Sequence, residues 1–499
     1  MAQRLSGDTP NKNVATKWNM LAQLMHKIVS PLTNIILAHI LAPEIFGIVA
    51  SITLVTSFLD IFTEAGFQKY LVYYDAKDEK DFSQTVSVAF WTNFALSVFL
   101  FLGLILLQNP VANLVGVSGK GTAVAVAGIV LPLTSFSSIQ AALFQRDLQY
   151  KKLFIIRFVG ALVPLMITVP LALLGWGYWS LLVGKIIGTA YSAVATTLVS
   201  KWKPKLFYSF KKLKQMLGFC SWSLAESVTT WLTSNLDVLI VGSILSSYYL
   251  GLYKTSISTV NDLLRIVSSS ILPVTYAVIS RLKDNRSQFD EEVYKSQQTL
   301  AAIALPMGVG VFLFRDLATT LVLGSQWAEA STLLGYWSLS SCISVAFIYI
   351  CDDVYRAVGK PKLSFYVHIA TIVALVPAVR FSAKMGYEVL IVVRPLMVIV
   401  GLIAREIALR RCTDISILRF VKNTLSPIIA TVLMTVVGGL LQLVSNRILW
   451  QFICIGICIV VYFGVLYVLP GGKGIIAALL DIVMPNRKKR KNRQKAIDK

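Results

Sequence analysis

Fourteen apolar stretches dominate this chain, at roughly 18 to 41, 46 to 72, 83 to 107, 122 to 143, 154 to 174, 178 to 200, 215 to 241, 251 to 280, 297 to 314, 332 to 355, 364 to 379, 387 to 404, 423 to 444 and 448 to 469. Stretches of about 20 residues are long enough to cross a bilayer as helices. In hydrocarbon every backbone polar group must be satisfied internally, which leaves helices as the structure available to such segments. Composition agrees, with 56% apolar and 14% charged residues, against about 45–50% and about 25% in soluble domains. A water-soluble chain of this size would need polar residues that are not here. The expected fold class is an all-α polytopic membrane protein with 14 transmembrane helices.

The chain has 47 Lys and Arg against 25 Asp and Glu, a formal charge of +22. With a cytoplasmic N-terminus, 36 of these cations fall in inner segments, counting Lys69 at the inner end of the second stretch, 5 in outer loops (Lys120, Arg315, Arg380, Lys384, Arg447) and 6 within spans (Lys27, Arg157, Lys185, Lys254, Arg265, Arg394). Cationic residues concentrate on the cytoplasmic side of membrane proteins, so this bias predicts N-in, C-in orientation and an even number of spans. The charge is therefore assigned to topology and to anionic head groups beside RKKRKNRQK at 487–495, not to nucleic acid.

Met1 to Lys17 is polar and the first apolar run contains Asn19, Gln23 and Lys27, so no signal peptide is expected. Six cysteines and the three scattered histidines (His26, His39, His368) form no metal-type spacing, and packed thiols and imidazoles are expected. The longest outer loop, between Phe314 and Thr332, is about 17 residues. That leaves no room for the outer domain a membrane glycan polymerase or ligase would use.

Four landmarks recur in order. Leu41 to Gly47 matches Leu245 to Gly251, Lys77-Asp78 matches Lys283-Asp284, Arg146 to Leu153 matches Arg356 to Leu363, and Gly177-Tyr178 with Lys185 matches Gly386-Tyr387 with Arg394. The offsets are 204, 206, 210 and 209. They predict two six-helix lobes in parallel repeat plus an added helix pair. The expected divisions are an N-terminal lobe at 1–200, a C-terminal lobe at 201–412, the extra pair at 413–470 and a basic cytoplasmic tail at 471–499.

Polar residues inside spans fall on single helix faces. Span one carries Asn19, Gln23, Lys27, Ser30 and Asn34; span two carries Thr53, Ser57, Asp60 and Glu64. Span seven carries Ser223, Glu226, Thr230, Thr233 and Asp237; span eight carries Lys254, Ser258, Asn261 and Arg265, with Asp262 beside the last. Steps of three and four residues place each set on one side. At about 1.5 Å per residue, Lys27, Asp60, Glu226 and Arg265 lie near the midplane. Charges there are costly, and they point either to mutual pairing or to a water-filled cavity that meets charged cargo. In the cavity reading Lys27 and Arg265, with Lys254 nearer the outer face, bind an anion. Asn34, Asp60, Glu64, Glu226, Asp237 and Asp262 line the cavity or couple transport to a sodium or proton gradient. Pro31 and Pro273 are expected to kink spans one and eight.

The run LAHILAPEIFGIVA at 37–50 resembles the Leu-x-Pro-Glu/Asp-x-Phe-Gly turn of bacterial polysaccharide transporters, the flippases of lipid-linked repeat units for O-antigen, capsule and exopolysaccharide. Further similarity lies in AGFQKYLV at 65–72, QRDLQYKKL at 145–153, GWGYWSLLVG at 175–184, NLDVLIVGSILSSYYLGLY at 235–253 and ALPMGVGVFLF at 304–314. The resemblance implies a fold shared with multidrug and toxin exporters and lipid II flippases. It implies an undecaprenyl-diphosphate-linked oligosaccharide as cargo, moved to the outer leaflet of the bacterial cytoplasmic membrane by alternating access, with a polysaccharide polymerase and glycosyltransferases as partners. His39 and Ser243 depart from it, since many members carry cations there. No bond need be made or broken, so no catalytic residue or cofactor is expected. A drug or cation exporter of the same fold is the rival reading, and it predicts an acidic, aromatic cavity.

Overall fold

The structure is a computed structural model that describes residue 29 and residues 31–64, 66–74, 78–360, 362–445 and 447–483. The described residues are helical, with no strand among them. They divide into two compact units, Met1–Lys254 and Thr255–Lys499.

The first unit holds α1 (Pro31–Ile40), α2 (Pro43–Glu64), α3 (Phe67–Tyr73), α4 (Glu79–Leu106), α5 (Gln108–Leu114), α6 (Gly121–Ala127), α7 (Val130–Arg146), α8 (Tyr150–Leu173), α9 (Tyr178–Val199) and α10 (Phe210–Ile244). Helix α11 (Ser247–Ile279) starts there and continues into the second unit. The second unit adds α12 (Arg286–Leu313), α13 (Arg315–Val322), α14 (Ala330–Ile343), α15 (Tyr349–Ala357), α16 (Lys362–Met385), α17 (Tyr387–Leu396) and α18 (Val398–Arg410). It ends with α19 (Ile417–Asn423), α20 (Leu425–Gln442), α21 (Ile448–Val468) and α22 (Gly472–Val483).

Twelve helical segments among the described residues, from Pro43–Val72 to Ile448–Val468, are long and apolar enough to cross a membrane. Their ends agree with the expected spans to within a few residues, apart from 297–314, whose helix begins at Arg286, and from 364–379 and 387–404, whose helices run on to Met385 and Arg410. Helices α16 and α17 form a hairpin that turns at Gly386, where φ is +116°. The repeat partner, Gly177, also has positive φ, +54°. A side chain at either turn would strain the backbone, which is why this landmark recurs.

Two expected spans fall outside the twelve. The first lies mostly outside the described residues, and α1 is the part that is visible. The seventh is α10, 35 residues long, whose polar stripe makes it less apolar than the others. Because α10 packs on α2, α3 and α4, the first unit extends beyond residue 200. Packing and repetition thus divide the chain differently.

Apolar clusters hold each unit together. In the first, Phe67, Leu71, Val86, Phe90, Ile139 and Met216 form a core joining α3, α4, α7 and α10. In the second, Phe314, Met434, Cys458, Tyr462 and Ile475 join α20, α21 and α22 to α12 and α13. Tyr462 Oη donates to Ala302 O at 2.6 Å and Gln442 Nε2 to Leu313 O at 2.9 Å, so the added helix pair is stitched to α12 by side chains reaching its backbone. Outward faces present large apolar residues such as Leu106, Leu174, Leu449 and Val468, the pattern of a surface solvated by lipid.

Candidate functional site

Within the first unit, α2 and α10 bring their polar stripes together. Trp231 Nε1 donates to Ser57 Oγ at 3.1 Å, and the Trp231 ring packs 4.9 Å from Phe58. One helical turn away, Glu226 pairs with Lys69 at 3.5 Å, with side chains 69% and 51% exposed. Glu226 stands at the middle of a 35-residue helix. A carboxylate in lipid would cost several kcal/mol, so an exposed one this far along an expected span is a candidate for lining an aqueous path.

The other first-unit candidates are held differently. Asp60 accepts from Thr63 Oγ1 at 2.9 Å and interacts electrostatically with the Lys185 ammonium of α9. Asp237 is buried; its Oδ2 accepts from Tyr253 Oη at 2.9 Å and its Oδ1 from the Val238 amide at 2.8 Å. Asn34 is exposed on α1, and Lys254 is half-buried beside Tyr253. Glu64 is the last residue of α2, and its side chain is outside the described set, as is all of Lys27. Of the expected kinks, Pro273 lies inside α11, whereas Pro31 borders the residues outside the described set, and the kink expected there falls among them.

The QRDLQYKKL segment proves to be a packed corner. Arg146 Nη1 donates to Leu71 O at 2.9 Å and its guanidinium lies 4.1 Å over the Phe82 ring. Leu148 takes φ +55°, a costly conformation for a branched side chain. Burial raises the Asp147 carboxyl above its ordinary range, against the pull of Arg146, Lys201 and Lys152.

Within the second unit, Arg265 is 63% exposed near the middle of α11 and pairs with Asp262, one turn earlier, at 3.5 Å. Asn261 faces inward instead, accepting from Trp337 Nε1 at 3.0 Å. The Arg394 guanidinium lies 4.7 Å over that same Trp337 ring. The polar face of α11 therefore splits, with Asn261 tied to α14 and Arg265 exposed beside Asp262.

A polar cluster that the sequence stripes missed lies nearby in this unit. A turn of π-helix at Ser344–Ile348 interrupts the tenth span and leads into α15. Asp352 accepts from Ser364 Oγ at 2.6 Å and pairs with Arg405 at 3.5 Å, and His368 Nε2 stands 4.0 Å away. Asp353 pairs with Arg356 at 3.3 Å. These carboxylates and Arg356, with Tyr349, Tyr276 and Ser268, line a cavity of about 540 Å³. Two acidic residues inside an apolar run were the available signal.

An apolar groove of about 500 Å³ completes the unit, lined by residues of α12, α13, α20 and α21 that include Pro306, Phe314, Met434 and Phe463. It is suited to a hydrocarbon chain. Exposed mid-span charges thus coexist with an apolar groove, an arrangement fitted to an amphiphile with a charged head.

The polysaccharide biosynthesis protein family matches residues 36–332. The chain belongs to this family. Among curated members of such systems, it is 24% identical over 386 residues to the succinoglycan biosynthesis transport protein ExoT of Rhizobium meliloti, covering 77% of each chain. It is 19% identical to the lipopolysaccharide biosynthesis protein WzxC of Escherichia coli, over 74% of this chain and 75% of that one. Among solved structures, the inward closed conformation of the lipid II flippase MurJ matches with a TM-score of 0.72 at 14% identity, over 89% of this chain and 97% of that one. As a polysaccharide biosynthesis family member, the chain thus has the expected flippase-type fold of a multi-pass membrane protein.

Proposed function

We propose that this protein is a flippase that moves undecaprenyl-diphosphate-linked oligosaccharide repeat units across the bacterial cytoplasmic membrane. The observation that carries this reading is Arg265, a largely exposed guanidinium held near the middle of a 33-residue helix. A permanently charged, forked donor at that depth suits a phosphate group. Lys27 and Lys254 are further candidate cations for the diphosphate, and the apolar groove over α12 and α21 receives part of the polyprenyl chain. The relatives' printed roles in succinoglycan and lipopolysaccharide biosynthesis support the cargo class.

In this reading the chain has fourteen transmembrane helices: two six-helix lobes at 1–200 and 201–412, a pair at 413–470, and a cytoplasmic tail at 471–499. Both termini are cytoplasmic, a placement that the cation bias supports. Asp60, Glu64, Glu226, Asp237 and Asp262 set the charge of the pathway or couple it to a sodium or proton gradient. Glycosyltransferases supply the cargo and a polymerase consumes it.

The test is export in a host lacking the native gene. Lys27→Ala and Arg265→Ala each stop surface delivery of repeat units while the protein remains in the membrane at normal level. Normal export from the double variant would remove the phosphate site.

A further inference from the structure

A second basic pocket, apart from the mid-span charges, lies where α12 meets the short helix α19. Its volume is about 440 Å³, and Glu291, Tyr294, Lys295, Gln298, Arg419 and Asn423 line it. The walls are fixed: Gln298 Nε2 donates to Asn423 O at 2.7 Å, Asn423 Nδ2 donates to Tyr294 O at 2.9 Å, and the Tyr294 ring meets buried Phe420 edge-on at 5.5 Å. Arg286 engages the neighbouring carboxylates Asp290 and Asp414, whereas among the described residues neither Lys295 nor Arg419 has a carboxylate within 4.0 Å. The Tyr294 hydroxyl is buried with no hydrogen-bond partner among the described residues. Against the single Glu291 carboxylate, Lys295 and Arg419 leave the lining net positive on a wall fixed by hydrogen bonds.

Position along the helices identifies the anion's source. Lys295 is the last charge before an uncharged run to Phe314, and Asn423 precedes the equally uncharged run of α20. The pocket therefore sits at head-group level. Beside it α19 exposes Leu418 and Val421, and Leu425 follows at the start of α20. Apolar residues next to the cations are what the acyl chains of a bound lipid would lie against. Basic pockets between spans at this level hold anionic head groups.

We propose that the Lys295–Arg419 pocket binds the phosphate of an anionic glycerophospholipid from the surrounding leaflet. The site rests only on the chain being embedded in a membrane, not on what it transports. Both cations would donate charge-assisted bonds to the phosphate.

The full-length protein and Lys295→Gln/Arg419→Gln are purified in detergent and titrated with phosphatidylglycerol, phosphatidylcholine or undecaprenyl diphosphate, and bound lipid is counted by native mass spectrometry. The wild type retains one phosphatidylglycerol about tenfold more tightly than the variant, the scale expected from losing two solvent-exposed ionic contacts. Phosphatidylcholine binds both proteins alike, and the basic tail, common to both, contributes equally. Lys295→Gln alone gives a milder loss in the same direction, which covers a misfolded double variant. Equal retention of phosphatidylglycerol by wild type and both variants would overturn the proposal. So would its one-for-one displacement by undecaprenyl diphosphate, which would assign the pocket to the carrier lipid.

Discussion

Gly47 and Gly251 meet backbone to backbone: a β-carbon on Gly47 would stand 2.9 Å from the Gly251 nitrogen, and one on Gly251 would stand 3.0 Å from the Gly47 nitrogen. The relation is reciprocal. A β-carbon at 47 would strike Ser247 O at 1.7 Å, and one at 251 would strike Pro43 O at 1.9 Å. Pro43 and Ser247 hold the same place in the repeated turns LAPEIFG and LSSYYLG. This is the self-complementary contact pattern of a two-fold interface, made here inside one chain by α2 and α11. Small residues permit such close helix approach in membranes.

Gly47→Ala and Gly251→Ala each force these helix starts apart. Overpacking of this kind costs about 1–3 kcal/mol, read as a lower midpoint of thermal unfolding in detergent. One separation relieves both clashes, so the double variant loses much less than the sum of the single losses. Additive losses would show that the two glycines do not share a contact.

Lys69 and Glu226 are both more than half exposed, and such pairs contribute about 0–1 kcal/mol. Lys69→Gln and Glu226→Gln therefore leave thermal stability nearly unchanged while reducing export. The charge swap Lys69→Glu with Glu226→Lys restores export if the pair only orders the helices. It fails to restore it if each charge has its own position along the pathway.

Asp352 stands opposite Arg405, whose side chain is 7% exposed. Asp352→Ala leaves that guanidinium without its carboxylate and costs about 3–5 kcal/mol, the scale for breaking a buried pair from one side. Asp352→Ala with Arg405→Ala is milder than Asp352→Ala alone, because no unpaired charge remains. Thermal unfolding of the three proteins decides it, and a double variant as unstable as the sum of its parts would contradict the pairing.

Trp337→Phe keeps the ring stack but removes the Nε1–H bond to Asn261. A net loss of about 1 kcal/mol is expected, together with weaker anchoring of Arg394. Unchanged unfolding would mean that water replaces the bond.

The spans were legible because hydrocarbon permits few alternatives to apolar helices of sufficient length. The polar stripes were legible as faces, yet their partners were not. Lys69 reads as a flanking cation in sequence, and only the packing of α3 against α10 brings it to Glu226. Lys185 gains Asp60 the same way, through α9. Periodicity puts Asn261 on the same face as Arg265, but Trp337, 76 residues later, claims its side-chain oxygen. Asp352, His368 and Arg405 come from three different helices, so no local spacing joins them. Periodicity finds a face; tertiary packing decides what the face meets.

The central claim is movement of a lipid-linked oligosaccharide past exposed mid-span charge. Purified protein in liposomes carrying an undecaprenyl-diphosphate-linked oligosaccharide on one leaflet tests it directly, with a membrane-impermeant lectin scoring the sugar that reaches the other leaflet. Wild type should move the sugar across and Arg265→Ala should leave it in place. No transfer by wild type, or equal transfer by both proteins, would contradict the account.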